Sequence, residues 1–235
     1  DPLGNITVLG SAPGATPATE SYTYDPLHRL TGISDAGTVL ESYSYSPTGD
    51  RLSKTAAGLA TGAYLYTPGT HQLASINGIA RANDANGNTT GTGSAGQTWG
   101  YGYNGRNRLA LAQANGITVG TYLYNALGQR IQKTTAAPPA TTQRYFYDEQ
   151  NHLIGDYIVG GSDRDTIWLG DMPVATVDTT GSTSVVNYVL GDGLGTPRAV
   201  VNDAGTTIWS WAYQGNPFGE QQPTSSTGYV LNLRY

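Results

Sequence analysis

Tyrosine pairs separated by one residue recur along the chain: YTYDPLHRLTGI from Tyr22, YSYSPTGDRLSK from Tyr43, YLYTPGTHQLASI from Tyr64, YGYNGRNRLALA from Tyr101, YLYNALGQRIQK from Tyr122 and YFYDEQNHLIGD from Tyr145. With the second aromatic as marker, Tyr24, Tyr45 and Tyr66 stand 21 apart, Tyr103 and Tyr124 again 21, Tyr147 follows after 23 and Trp168 after 21. DANGNTTG from Asp84 fills the gap between Tyr66 and Tyr103 as a degenerate copy with Asn83 in the tyrosine column. A fixed period of this length makes each copy a supersecondary unit that buries its apolar face only against its neighbours. No other feature narrows the possible folds as much.

Before each turn the residues alternate, as in VLESYSY (39–45) and WGYGY (99–103), the period-2 pattern of a half-buried strand with its aromatics on one face. The following turn carries Asp25-Pro26, Pro47-Thr48-Gly49, Pro68-Gly69, Asn104-Gly105 or Leu127-Gly128, and an Arg/Gln-Leu/Ile strand starts the return. A second turn closes the unit at Asp35-Ala36-Gly37, Asn115-Gly116 or Asp178-Thr179-Thr180-Gly181. Each copy therefore reads as one β-hairpin feeding the next, and the fold class is all-β without long helices. About ten hairpins give roughly twenty strands, on the order of 100 Å of sheet if laid flat. Sheets that wide curl, close or stack, so a curved, spiralling wall is expected.

Composition narrows the function. Charged residues make up 12% of the chain, the net charge is −5, and no basic run is present. The electrostatic footprint of nucleic-acid binding is missing. No stretch approaches the roughly 18 apolar residues of a membrane span, and DPLGNITVLG has neither the basic start nor the apolar core of a signal peptide. Seventeen Tyr and four Trp at regular spacing supply the core that a disordered chain of similar polarity lacks. The absence of Cys excludes disulfides and thiolate metal sites. DPLG at the start sits in a turn column without its own tyrosine pair, and LNLRY carries no capping signal. The sequence therefore reads as a piece of something longer.

The Tyr-x-Tyr-Asp/Asn, Gly, Arg-Leu/Ile pattern resembles the YD repeats of the Rhs proteins. IWLGDMPVATV (167–177), NYVLGDGLGTPRAVVNDAGTTIWSWAYQGNPFGE (187–220) and LNLRY (231–235) resemble the end of the Rhs core. That family includes bacterial type VI secretion effectors, insecticidal toxin complexes and teneurins. The resemblance implies YD hairpins wound into a hollow β-shell, with residues 1–166 as the hairpin array and 167–235 as the C-terminal core segment of the same shell. It further implies a non-catalytic container, secreted from a bacterium or held at its surface. The implied partners are the remaining Rhs repeats and an enclosed toxin domain of a longer chain. The family's self-cleaving aspartyl element lies after the LRY segment, beyond Tyr235. Asp1 to Gly4, Asp25-Pro26-Leu27 and Asn216-Pro217-Phe218-Gly219 share its Asp-Pro-x-Gly-like pattern but occupy turn columns, and are read as turns.

The candidates for chemistry have structural readings. His28, His71 and His152 fall four or five residues after a marker, in turn positions exposed to solvent, and no Gly-x-Ser-x-Gly elbow partners them. Asp84-Ala-Asn86-Gly-Asn88 has oxygen ligands at alternate positions but its glycine comes too early for a calcium loop and no glutamate closes it, so an Asx turn is expected. Asn5-Ile-Thr7 and Asn88-Thr-Thr90 fit a glycosylation sequon. No catalytic residue, metal ligand or cofactor is assigned. The assignable positions are structural repeat markers: Tyr22, Tyr24, Tyr43, Tyr45, Tyr64, Tyr66, Tyr101, Tyr103, Tyr122, Tyr124, Tyr145, Tyr147, Trp168 and Trp211. Rows of such rings pack a sheet face through cross-strand pairs; the alternative is a carbohydrate-binding or adhesive surface whose rings stack on sugars. Unpaired sheet edges and low charge also predict self-association into oligomers or a filament.

Overall fold

The computed structural model describes residues 1–10, 20–55, 60–94, 96–212 and 217–233, and among these no helix occurs. The chain forms two compact units, residues 1–82 with 213–221, and 83–212 with 222–235. The first contains β1 (Val8–Leu9), β2 (Glu20–Tyr24), β3 (Leu30–Asp35), β4 (Thr38–Tyr45), β5 (Arg51–Thr55), β6 (Gly62–Tyr66), β7 (Leu73–Ile76) and most of β8 (Ile79–Asn83), each antiparallel to the next. The second contains β9 (Thr89–Ser94), β10 (Gln97–Tyr103), β11 (Leu109–Ala114), β12 (Ile117–Tyr124), β13 (Arg130–Thr135), β14 (Thr141–Tyr147) and β15 (Leu153–Ile158). It continues through β16 (Asp163–Leu169), β17 (Met172–Thr180), β18 (Thr183–Gly191), β19 (Pro197–Val201), β20 (Thr207–Ser210) and β21 (Thr224–Ser225). These too pair strictly in sequence order. Each unit is thus a meander of hairpins, as the repeat predicts.

Each of the predicted tyrosine pairs ends a strand, and the register slips by one residue just before every marker: between Thr23 and Tyr24, Ser44 and Tyr45, Leu65 and Tyr66, Gly102 and Tyr103, Leu123 and Tyr124, and Phe146 and Tyr147. The same slip falls between Ile167 and Trp168. A bulge at the same place in each copy bends the strand into its turn. The return turns are two residues long at Ala36-Gly37, Asn77-Gly78 and Asn115-Gly116, with both residues at positive φ. That conformation matches the twist of the flanking strands and suits Asn-Gly best.

The first tyrosine of each pair lies across from one residue of the next strand: Tyr22 from Ile33, Tyr43 from Lys54, Tyr64 from Ile76, Tyr101 from Ala112, Tyr122 from Lys133 and Tyr145 from Asp156. Along this row Ile33, Tyr43, Tyr64, Ile76, Ala112 and Tyr145 are buried, whereas the markers Tyr24, Tyr45, Tyr66, Tyr103, Tyr124 and Tyr147 are half-buried. On the opposite face hydroxyls pair across strands, Ser21 with Ser34 at 2.9 Å and Ser44 with Ser53 at 2.6 Å, while Leu65, Leu123, Phe146 and Ile167 are exposed. In the second unit the aromatic face gathers Val189, Val200, Ile208, Trp209, Trp211, Leu231 and Leu233 into one buried cluster, flanked by Leu153, Trp168 and Tyr229.

Candidate functional site

Where an aspartate or asparagine follows the marker, as at Asp25, Asp84, Asn104, Asn125 and Asp148, it organises the turn. Asp25 Oδ1 accepts the backbone N–H groups of Leu27 (2.9 Å) and Arg29 (3.0 Å), while its own carbonyl accepts from His28. The same three bonds recur at Asp84, Asn104, Asn125, Asp148 and Asp192. They also occur at Asp1, so DPLG and Asp25-Pro26-Leu27 are turns as expected, and the Asp84 segment is the expected Asx turn. Asn216 of the third candidate turn lies outside the described residues, as do Tyr213 to Gly215 and the final Arg234 and Tyr235. An Asx side chain that caps two N–H groups replaces ladder bonds that a five-residue turn cannot make. The fourth turn residue has positive φ, and is Gly at 4, 87, 128 and 195 but His28, Asn107 and Asn151 in the other three.

The marker rings tie each copy to the one before it. Tyr24 Oη donates to the Ile6 carbonyl (2.7 Å), Tyr45 to Leu30 (2.8 Å), Tyr66 to Arg51 (2.9 Å), Tyr103 to Thr89 (2.9 Å), Tyr124 to Leu109 (2.8 Å) and Tyr147 to Arg130 (3.1 Å). Trp168 continues the series with its indole N–H on the Leu153 carbonyl at 3.1 Å. Every acceptor is the first residue after the preceding turn, so the bond needs a donor at the tip of a long flat ring; phenylalanine lacks one. Replacing Tyr124 by Phe should therefore cost about 0.5–1.5 kcal/mol in denaturant unfolding, the net value of one such bond. Three of the first tyrosines bond within their own strand instead. Tyr22 donates to Glu20 and Tyr43 to Glu41, two residues back, and Tyr145 to Gln143 at 3.0 Å. Burial pushes the Tyr145 phenol up to about 12. Tyr64 donates to the Ala60 carbonyl at 2.6 Å, Tyr101 and Tyr122 are half-buried, and Trp211 is buried in the second unit's cluster.

Two short segments lie on the aromatic face, one in each unit. In the first unit, residues 217–221 place Phe218 edge-on to Tyr43 (centroids 5.3 Å apart) and Glu220 against Lys54 and Arg51, the latter at 3.6 Å. Lys54, only 3% exposed, also faces Glu41 at 3.3 Å. Burial raises the Glu41 pKa, and the Lys54 ammonium opposes that shift. In the second unit, residues 228–233 bring Tyr229 beneath the Arg164 guanidinium (4.2 Å) and 2.7 Å from Thr176, and bring the Val230 carbonyl to Arg164. Asn232 donates to Asp156, and Arg164 pairs with Asp178 at 2.6 Å. A cavity of about 370 Å3 opens there, bordered by Lys133, Gln143, Asp156 and Tyr229. The sequence gives no local sign of these inlays, because their partners are 53 to 175 residues apart.

The histidines occupy the turn edge. His28 is exposed and within 3.0 Å of Asn5, and His71 is exposed and 2.8 Å from Asp50. His152 departs from the solvated position expected for it: its side chain is only 15% exposed, stacks on Trp168 (4.4 Å), and bridges Asp148 (2.9 Å) and Asp171 (3.0 Å). Hydrogen bonds donated to the carboxylates of Asp148 first, then Asp171, raise its pKa above the ordinary 6.5. A raised folded value means the contribution to stability is complete below 6.5 and fades as pH rises through the folded pKa. The thermal midpoint should therefore fall as pH rises above 6.5, and His152→Gln should flatten that slope; equal slopes in both proteins would contradict the assignment.

A family model described as the teneurin YD-shell matches residues 3–235. No curated protein matches the chain in sequence. Among solved structures, the TcdB2–TccC3 complex without its hypervariable C-terminal region is similar at TM-score 0.48 and 14% identity, over 91% of this chain and 13% of that one. The Photorhabdus luminescens Tc holotoxin pore in a TccC3 mutant form is similar at TM-score 0.42 and 13% identity, over 85% of this chain and 12% of that one. A TcdB2–TccC3–TEV chain gives TM-score 0.41 at 14% identity, over 82% and 13%. The chain thus spans about 13% of the length of these structures.

Proposed function

Because the chain belongs to the teneurin YD-shell family, we propose that it is a non-catalytic wall segment of a hollow shell that encloses a toxin domain carried by the same longer polypeptide. The observation that carries this reading is the inter-repeat ladder: each marker's donor is committed to the carbonyl of the preceding copy. The turns reinforce it, with Arg29 donating to the Ser46 carbonyl at 2.7 Å, Arg106 to Ala126 at 3.0 Å and Gln129 to Asn151 at 2.7 Å. Side chains spent on joining copies make a continuous wall, and residues 1–166 and 167–235 belong to one such wall. The remaining repeats and the enclosed toxin are its partners, and it works outside the bacterium that exports it, as a type VI or toxin-complex effector.

The carbohydrate platform is the weaker reading, because rings whose hydroxyls are tied to the backbone and whose faces are half-buried offer sugars little free surface. Titration with sugars, followed by tryptophan fluorescence, separates the two; saturable binding at millimolar concentration or tighter favours the platform. The shell reading is tested on the longer polypeptide that carries this segment. Electron micrographs should show a hollow particle, and protease should spare the enclosed domain until the particle is unfolded. A solid particle, or cleavage of that domain at the rate of the free domain, would overturn it. Cut free of its neighbours, the chain exposes strand edges and should self-associate, which light scattering at tens of micromolar reads directly.

A further inference from the structure

The charged inlay of the first unit has a counterpart in the second. Arg51 lies between the rings of Tyr43 and Tyr64, its guanidinium carbon 5.2 and 5.6 Å from their centroids, and Lys54 sits across the strand pair from Tyr43. Arg130 lies in the same way between Tyr122 and Tyr145, at 6.0 and 4.6 Å, and Lys133 sits across from Tyr122. Both arginines are the sixth residue after a marker, and each lysine follows three residues later. The same cage is therefore built twice.

What covers the two cages differs. In the first unit Phe218 lies 4.1 Å from the Arg51 guanidinium, and Glu220 pairs with both cations. With Glu41 this gives two cations and two carboxylates. In the second unit the adjoining carboxylate is Asp156, held by Gln143 and Asn232, and the neighbouring Arg164 and Asp178 balance each other. Among the described residues Arg130 and Lys133 have no ion pair, and Arg130 Nε is buried without a hydrogen-bond partner. One positive charge is left over. Lys133 also borders the cavity of about 370 Å3, which falls within the size range of sites that hold small groups.

We propose that Tyr122, Arg130, Lys133 and Tyr145 form a docking site for a partner polypeptide that presents an aromatic ring and, two residues later, a carboxylate. The ring would stack on the guanidinium face, and the carboxylate would neutralise the surplus cation and satisfy the buried donor, as Phe218 and Glu220 do for Arg51 and Lys54. The site works in this way whether or not the wall closes around a cargo.

The test is a labelled peptide with the sequence of residues 217–222, Pro-Phe-Gly-Glu-Gln-Gln, titrated into the 235-residue chain by fluorescence anisotropy. Saturable binding is expected, weakened at least tenfold by Arg130→Gln in the protein, and equally by Phe218→Ala or Glu220→Gln in the peptide. Because the peptide variants leave the protein unchanged, the comparison stands even if the Arg130 variant fails to fold. Loss of binding with Arg51→Gln but not with Arg130→Gln would mean the peptide merely exchanges with residues 217–221, and would overturn the proposal. So would displacement by millimolar inorganic phosphate combined with equal binding of the Phe218→Ala peptide, the behaviour of a simple anion site. A dimer of the chain itself that Arg130→Gln dissolves would assign the cage to a second copy instead.

Discussion

Replacing Trp209 by alanine is expected to lower the unfolding free energy by about 3–5 kcal/mol, the range for removing a large aromatic from a packed interior. Trp209 is 2% exposed, lies across from the fully buried Val200, and belongs to the cluster that joins β18–β20 to the segment carrying Leu231 and Leu233. A sheet with no helix on it has few places where apolar atoms are closed in on all sides, and this is the principal one among the described residues. Leu123→Ala, on the opposite and exposed face, should change stability by no more than about 0.5 kcal/mol. Denaturant titration of the two variants decides the matter. Equal midpoints would show that the strength of the sheet does not reside in this cluster.

Lys54→Met should be nearly as damaging, at about 3–5 kcal/mol, because it removes one partner of a buried ionic group and leaves Glu41 and Glu220 without their ammonium. The loss should depend on pH in a definite sense. Burial already raises the Glu41 pKa while Lys54 holds it down, so the substitution raises it further. A carboxyl with a raised folded pKa favours the folded state below its unfolded value and loses that advantage as pH rises through the folded value. The gap between wild type and Lys54→Met should therefore narrow at acid pH, where Glu41 is protonated. A gap that widens on acidification would contradict the burial of Glu41 beside Lys54.

Much of this architecture can be read from the sequence, for physical reasons that differ from element to element. The strands before the markers are legible because alternation has one structural meaning, and the turns because Asp25, Asn104 and Asn125 carry the only common side chains that cap two backbone donors in place. The degenerate copy at Asp84 is legible for the same reason, although its tyrosine column holds Asn83. The division of labour within each tyrosine pair is not. Both rings look alike in sequence, yet only first rings, those of Tyr43, Tyr64 and Tyr145, are buried, while the second rings reach back to the preceding copy, a difference set by the bulge between them. The two charged inlays are equally silent, since Lys54 meets Glu220 only after the intervening strands are laid down. His152 is read as an ordinary turn residue until Asp171, at the next turn, comes within reach.

The bonds from each marker to the copy before it all point the same way along the chain. A carbonyl at the start of one return strand finds its donor only when the next tyrosine has been synthesised and folded down. Construction is therefore one-directional: each newly made hairpin completes its predecessor and waits for its successor, as courses of brick are locked by the course above. A chain emerging from the ribosome, which is read in the same direction, can close its wall progressively, with no more than the latest course left open at any moment.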